Sequence, residues 1–451
     1  MNRRLKTIIT IVLFLIIILI TQLGLRYILI EDNHSYTRVM LHELYNPGKN
    51  IDALFVGSSH CYRAVNPKIT DEVMGLNTFN AGSSSQYIDG AYAMIREAAK
   101  NNKLKSVYVE VEHNTTCAVP FEDRSNLQST YILSEYMPFS LNKLQFLALG
   151  SSIEKYPNSF MPLGKYKEML DDPAKIPELL EDKNSDDYRN YAYVKNSMEE
   201  YRGKGYVSSE AEIQNGTLKS DRPFLEINLH NISDDWKKTE KKIVKFCKDN
   251  DIELYFFTAP MPDFYLKGIG NYDAYVNKIK GIFEEDGIPY ADFNLCREQY
   301  LSLEDDDYMD DNHLNMYGAD KFTEVFARYY AGEIKDEEIF CENYEATLQE
   351  MSPKIFGLIV EDDKRGHCIK VTPVTNADAS MITYSSEFIP IDQDRLIENS
   401  EENPSNLISY TEGQSGTMFI SAYLNGEKTN EVSMVYGKQA PPKPLRKEDA
   451  D

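Results

Sequence analysis

The chain has 451 residues, 42% of them apolar, with 72 acidic against 48 basic side chains and a formal net charge of −24. That length and apolar content allow two or three domains with a sizeable core. The acidity runs along the chain with no basic stripe, which excludes nucleic acid as a partner and suits a solvated surface.

Thr7 to Leu25 is an almost unbroken apolar run, and about 20 such residues cross a bilayer as a helix. Arg3, Arg4 and Lys6 precede it. The positive-inside rule then makes residues 1–27 a cytoplasmic tip and anchor and leaves the bulk of the chain outside the cytoplasm. A signal peptide has a shorter apolar region, about 7–15 residues, followed by small side chains. Here Gln22, Leu23, Arg26 and Tyr27 follow, which favours a retained, single-pass plasma-membrane anchor. Six cysteines (Cys61, Cys117, Cys247, Cys296, Cys341, Cys368) show no Cys-x-x-Cys pair and no zinc spacing; free thiols are the expectation.

Residues 28–50 read as a juxtamembrane connector. Strands and helices then alternate over 51–335. Ile51–Val56, a segment ending at Thr78–Gly82, Val107–Val111, Leu254–Thr258 and Pro289–Phe293 are short apolar strands. Pro67–Met74, Gln86–Lys100, Asp234–Lys248, Tyr272–Glu284 and Lys321–Tyr330 carry helical spacing. Such alternation predicts a parallel sheet covered by helices on both faces, a three-layer α/β/α arrangement with ligands at the carboxyl ends of its strands. Between 117 and 230 the alternation lapses, and a mostly helical insertion or lid is expected. Over 336–437 the runs Ile355–Val360, Cys368–Val371, Met381–Tyr384, Thr417–Tyr423 and Glu431–Tyr436 predict a small all-β accessory domain, with Asn425-Gly426 turning between the last two. The Pro-rich, charged end, 438–451, reads as a disordered tail.

The chemistry concentrates in two places. Phe55-Val56-Gly57-Ser58-Ser59-His60 runs from a strand into a Gly-Ser-Ser turn, where a serine sits close to the N–H groups of a starting helix. Asp310-Asp311-Asn312-His313 puts an acid three residues before a histidine, ahead of the last helix. A serine needs a base to take its proton, and the base needs a partner that fixes its tautomer. Ser59, His313 and Asp310 supply the set, with Asp311 the competing acid, and Leu314 and Tyr317 are expected to pack the loop. The EF-hand pattern of a calcium loop is absent. His60, His113 and Glu112 form too loose a group to predict a metal, and no cofactor is expected.

These motifs resemble those of the SGNH (GDSL-like) hydrolase superfamily, in its membrane-anchored cell-envelope branch of acyltransferases and esterases. The likeness covers about Asp52 to Tyr330. Gly57-Ser58-Ser59 is similar to the family's first block, Asn80-Ala81-Gly82 to its second, and Asp310 with His313 to its last. The resemblance implies a flavodoxin-like sheet, Ser59 as nucleophile and backbone N–H groups of Ser59 and Gly82 as oxyanion donors. Ser58 stands where many members have Asp, and the third block, Gly-x-Asn-Asp, is missing. Glu112-His113-Asn114 occupies its place, which makes Asn114 the candidate third donor and leaves His113 open to a structural role. His60, Arg63 and Lys204 are the candidate substrate contacts.

The reading that follows is an extracytoplasmic serine acyl-esterase or O-acyltransferase. It would act on a cell-envelope polysaccharide or acylated polymer, with a membrane-embedded acyl-donor protein as partner. A catalytically silent envelope-binding or assembly protein is the alternative.

Overall fold

The computed structural model describes residues 3–117, 128–150, 167–212, 217–219, 225–363, 368–376, 382–390, 397–399, 407–409, 416–424 and 426–436. In chain order the strands of its first part are β1 (Ala53–Val56), β2 (Thr78–Asn80), β3 (Ser106–Glu110), a hairpin of β4 (Glu200–Gly203) and β5 (Tyr206–Ser208), β6 (Thr217–Lys219), β7 (Glu253–Thr258) and β8 (Tyr290–Asp292).

Five of these make one sheet in the order β2-β1-β3-β7-β8, and every neighbour pair is parallel. The chain steps from β1 outward to β2 and then crosses back to β3. The place where the direction reverses, between β1 and β3, is where such sheets open a crevice at their carboxyl ends. β1 and β3 are buried at every position, as their unalternating apolar runs require.

Ring contacts show which helices lie on which face. Phe326 of the helix Met316–Tyr330 packs on Phe55, Tyr108 and Phe257. Phe283 of the helix Tyr272–Glu285 stacks on Phe256, which points the other way, with ring centroids 4.0 Å apart. Local caps set the helix ends. Asn66 caps Pro67–Met74 at its start and Gly75, with φ of +65°, closes it. The last helix begins at Met316, five residues before the expected Lys321, because the Asn315 side chain accepts the N–H groups of Tyr317 and Gly318.

One N-terminal helix, Arg3–Leu29, is long and apolar enough to cross a membrane. Its end is built into the rest of the molecule: Leu29 and Ile30 are buried. Arg26 pairs with Glu135, and the Lys183 ammonium donates to the carbonyls of Tyr27 and Ile30 and lies 3.1 Å from Asp32.

The 117–230 segment, expected to be mostly helical, is mixed. The helices Gln128–Ser134, Leu141–Gly150 and Ile176–Asn184 are joined by the β4–β5 hairpin. Its turn is pressed on β2, with Asn80 N–H donating to Lys204 O at 2.9 Å. A Cβ on Gly205 would lie 1.6 Å from Asn80 O, so the turn admits only glycine.

Residues 336–350, grouped by sequence with the β-rich segment, form two short helices whose Ile339, Tyr344 and Leu348 join the main core. Beyond them come β9 (Ile355–Asp363), β10 (Cys368–Thr375), β11 (Ile382–Pro390), β12 (Ile397–Asn399), β13 (Leu407–Ser409), β14 (Gly416–Leu424) and β15 (Glu427–Tyr436). They pair as β13-β10-β9-β6 and β12-β11-β14-β15, with Gly426 at φ of +84° between the last two strands. Asn425, Met381 and the expected tail, 438–451, lie outside the described residues. Cys61, Cys117, Cys247, Cys296 and Cys341 are buried free thiols.

Candidate active site

β1 ends at Val56 and the chain turns through Gly57 and Ser58 into the short helix Ser59–Tyr62. Gly57 is needed there: a Cβ would fall 2.6 Å from Glu110 Cβ and 2.7 Å from its Oε2. Ser58 caps the helix by accepting the His60 N–H at 3.2 Å. Its own N–H and Oγ–H both donate to Glu110 Oε2, at 2.8 and 2.9 Å. Ser59 opens the helix, so its N–H has no intrahelical acceptor.

His313 comes from the loop that precedes the helix Met316–Tyr330. The loop is pinned on both sides: Met309 N–H donates to His313 O at 2.9 Å, Asn315 N–H to Asp307 O at 2.9 Å, and Asn315 Nδ2 to Asp306 O at 2.6 Å. Leu314 is buried as expected, whereas Tyr317 points outward, 52% exposed, and does not pack.

The distances join the two segments. His313 Nε2 lies 2.7 Å from Ser59 Oγ, and Nδ1 lies 2.9 Å from both oxygens of Asp310. Asp310 Oδ1 also accepts the N–H groups of Asn312 and His313, at 3.0 and 2.9 Å. Burial pushes the Asp310 carboxyl up, but the His313 ring and these N–H donors outweigh it and hold the group below the usual value. An ionised Asp310 takes the Nδ1 proton as its hydrogen bond, which leaves Nε2 to accept from the Ser59 hydroxyl.

Behind the serine turn lie two buried acids, Glu110 and Glu112. Burial and the neighbouring Glu112 raise the Glu110 carboxyl well above its ordinary range, and Glu110 Oε1 has no hydrogen-bond partner. Burial also raises Glu112, offset in part by the N–H groups of Asn114 and Thr115, at 2.7 and 3.0 Å, and by His313. The His60 ring stacks obliquely on His313, centroids 4.7 Å apart. Burial, then the charges of His313 and His113, hold His60 well below its ordinary value, so it presents a neutral ring. His113 is buried, its Nε2 3.1 Å from Tyr265 OH, and burial lowers its pKa to about 4.

The other predicted residues fall into two groups. Gly82 stands beside the serine turn: a Cβ there would meet Gly57 O at 3.2 Å, and the next N–H, of Ser83, donates to Gly57 O at 3.1 Å. The Gly82 N–H itself donates to Asn80 Oδ1 at 3.0 Å. Asn114 is exposed just past β3, its Nδ2 3.5 Å from Tyr265 OH. Arg63 and Lys204 are not gathered into the pocket. Arg63 is buried in an ion pair with Glu199 and donates to Met309 Sδ at 3.1 Å, bracing the His313 loop. Lys204 pairs with Asp71 and donates to Asn77 Oδ1 at 2.8 Å, toward the amino end of β2 and away from Ser59.

Sequence reasoning missed Glu110 and Tyr265. The signal for the first was present, since Glu110-Val111-Glu112 puts two acids at the end of an otherwise apolar strand. Among the described residues no group of His, Cys, Asp and Glu is placed to hold a metal. A scan against protein-family models finds no match, and no curated protein matches the chain.

Proposed function

We propose that the chain is a membrane-anchored, extracytoplasmic serine acyl-esterase or O-acyltransferase of the SGNH type, acting on a cell-envelope glycan or acylated polymer. The observation that carries this reading is the unbroken line of hydrogen bonds from Ser59 through His313 to Asp310 at the carboxyl end of a parallel sheet. In support stand the β2-β1-β3-β7-β8 order and helices on both faces, which suit the three-layer SGNH architecture. The antiparallel pairings beyond Ile355 suit an all-β accessory domain. The basic tip before an apolar helix suits an anchor with its amino end in the cytoplasm.

Ser59 Oγ attacks the acyl carbonyl as His313 Nε2 takes its proton, and Asp310 stabilises the imidazolium by holding Nδ1–H. The oxyanion meets the N–H groups of Ser59 and Gly82 and the Asn114 amide. Collapse expels the donor oxygen with the His313 proton. Water or a sugar hydroxyl, deprotonated in turn by His313, then releases the acyl group. A fluorophosphonate should label the wild-type protein and leave Ser59→Ala unlabelled. Equal labelling of both would remove Ser59 from the mechanism.

One observation favours a second reading, a catalytically silent envelope-binding protein: the Gly82 N–H is already engaged by Asn80 Oδ1 and must leave it to serve an oxyanion. Folded protein that turns over no p-nitrophenyl ester of any acyl length would select that reading.

A further inference from the structure

Beside the N-terminal helix lies an open cavity of about 870 Å³. Leu19 and Leu23 of the helix form one wall, and Phe139 and Leu147 of the 117–230 segment form the other. At 1.5 Å per residue, Leu19 sits about 9 Å inside the end of the apolar run at Leu25. The cavity runs from that depth to Asp32 and Arg38 beyond the end of the run, so its walls pass from an apolar level to a charged one. Phe139 and Leu141 are 81% and 75% exposed, the most exposed large apolar side chains among the described residues. Water is a poor environment for such a pair, and the adjoining helix Leu141–Gly150 is itself apolar along much of its length (Leu141, Leu144, Phe146, Leu147, Leu149).

Charge points the same way. Arg26 and Lys143 line the cavity together with Arg38 and Lys183, against the two acids Asp32 and Glu135. This net positive lining occurs in a chain of formal charge −24.

We propose that this cavity holds a phospholipid of the outer leaflet. Its acyl chains lie against Leu19, Leu23, Phe139 and Leu147, and its phosphate against Arg26 and Lys143. The segment Met137–Gly150 then lies in the membrane surface as a second contact beside the spanning helix. The inference rests on the anchoring reading proposed above, and it adds a lipid-binding site distinct from the Ser59 pocket.

The single tryptophan makes the test direct. Trp236 is buried in the sheet region, and its emission reports an intact fold in every variant. Full-length Phe139→Trp is reconstituted into vesicles of phosphatidylcholine carrying either phosphatidylglycerol or further phosphatidylcholine with brominated chains. The added emission should be blue-shifted and quenched, more strongly by the brominated phosphatidylglycerol. A cation near an anionic surface gives a preference of roughly fivefold, so adding Lys143→Gln should bring the two lipids close together. Phe14→Trp serves as the mid-helix control. If Phe14→Trp is quenched and Phe139→Trp is not, the lipid site is overturned while the anchor stands. If neither is quenched, both readings fall. Quenching of Phe139→Trp that is equal for the two lipids and indifferent to Lys143→Gln overturns the phosphate contact.

Discussion

Asp310 meets the His313 Nδ1 with both carboxylate oxygens, so the carboxylate fixes the ring's tautomer as well as its orientation. Asp310→Asn keeps the shape and loses that control. Ester turnover should fall by up to about 10⁴-fold, with an unchanged far-UV spectrum. Glu110 behaves in the opposite sense. Its raised pKa means that the folded chain binds a proton that the unfolded chain has already lost. That contribution is fully present below the ordinary carboxyl pKa and disappears as pH rises through the raised value, at about 1.4 kcal/mol per pH unit for one proton. Thermal melts should therefore drop between mildly acid and alkaline buffer. Glu110→Gln, which still offers Ser58 an acceptor oxygen, should flatten the fall. Nothing in Glu110-Val111-Glu112 as a string reveals that partnership. It arises because β3 pairs with β1 in parallel, Val56 opposite Val109, and that register lays the end of one strand against the turn of the other.

The elements most legible in the sequence are those whose burial is uniform. Ala53–Val56 and Ser106–Glu110 are buried throughout, and an apolar run bounded by a turn is the direct imprint of that environment. The helix Pro67–Met74 matches its reading at both ends, because Asn66, Pro67 and Gly75 are all visible boundary signals. Legibility fails where tertiary contacts outvote local pattern. The β4–β5 hairpin buries Tyr201, Tyr206 and Val207 in the core and sets its turn on Asn80, but its strands are only four and three residues long, too short for a period to show. The final helix starts early because Asn315 caps it, and its first turn, Met316-Tyr317-Gly318-Ala319, holds a helix-weakening glycine and is too short to show a period. That cap also secures the His313 loop through Asp306 O and Asp307 O. Asn315→Ala should cost about 1 kcal/mol in a urea titration and lower ester turnover beyond what the loss of stability explains.

At the scale of the whole molecule, the exit of the N-terminal helix is part of the core. A chain beginning at Leu25 keeps Leu29 and the two carbonyls that receive the Lys183 ammonium. One beginning at Glu31 removes both carbonyls, leaves the buried Lys183 ammonium with Asp32 alone, and opens a gap where Leu29 and Ile30 packed. The shorter chain should be less stable by roughly 3 kcal/mol, as read from urea midpoints. Composition and the strand–helix alternation made the parallel sheet and the apolar helix readable. The seam between that helix and the residues around Lys183 was not, since it joins positions some 150 residues apart by contacts of a few atoms. The seam has a mechanical meaning. A string-like linker would let the reactive pocket swivel and bob at random, whereas a helix clasped at its last turn behaves as a post. Whatever grips residues 7–25 therefore fixes the height and heading of Ser59, and under the proposed function a polymer would have to be delivered to that station because the serine cannot go looking for it.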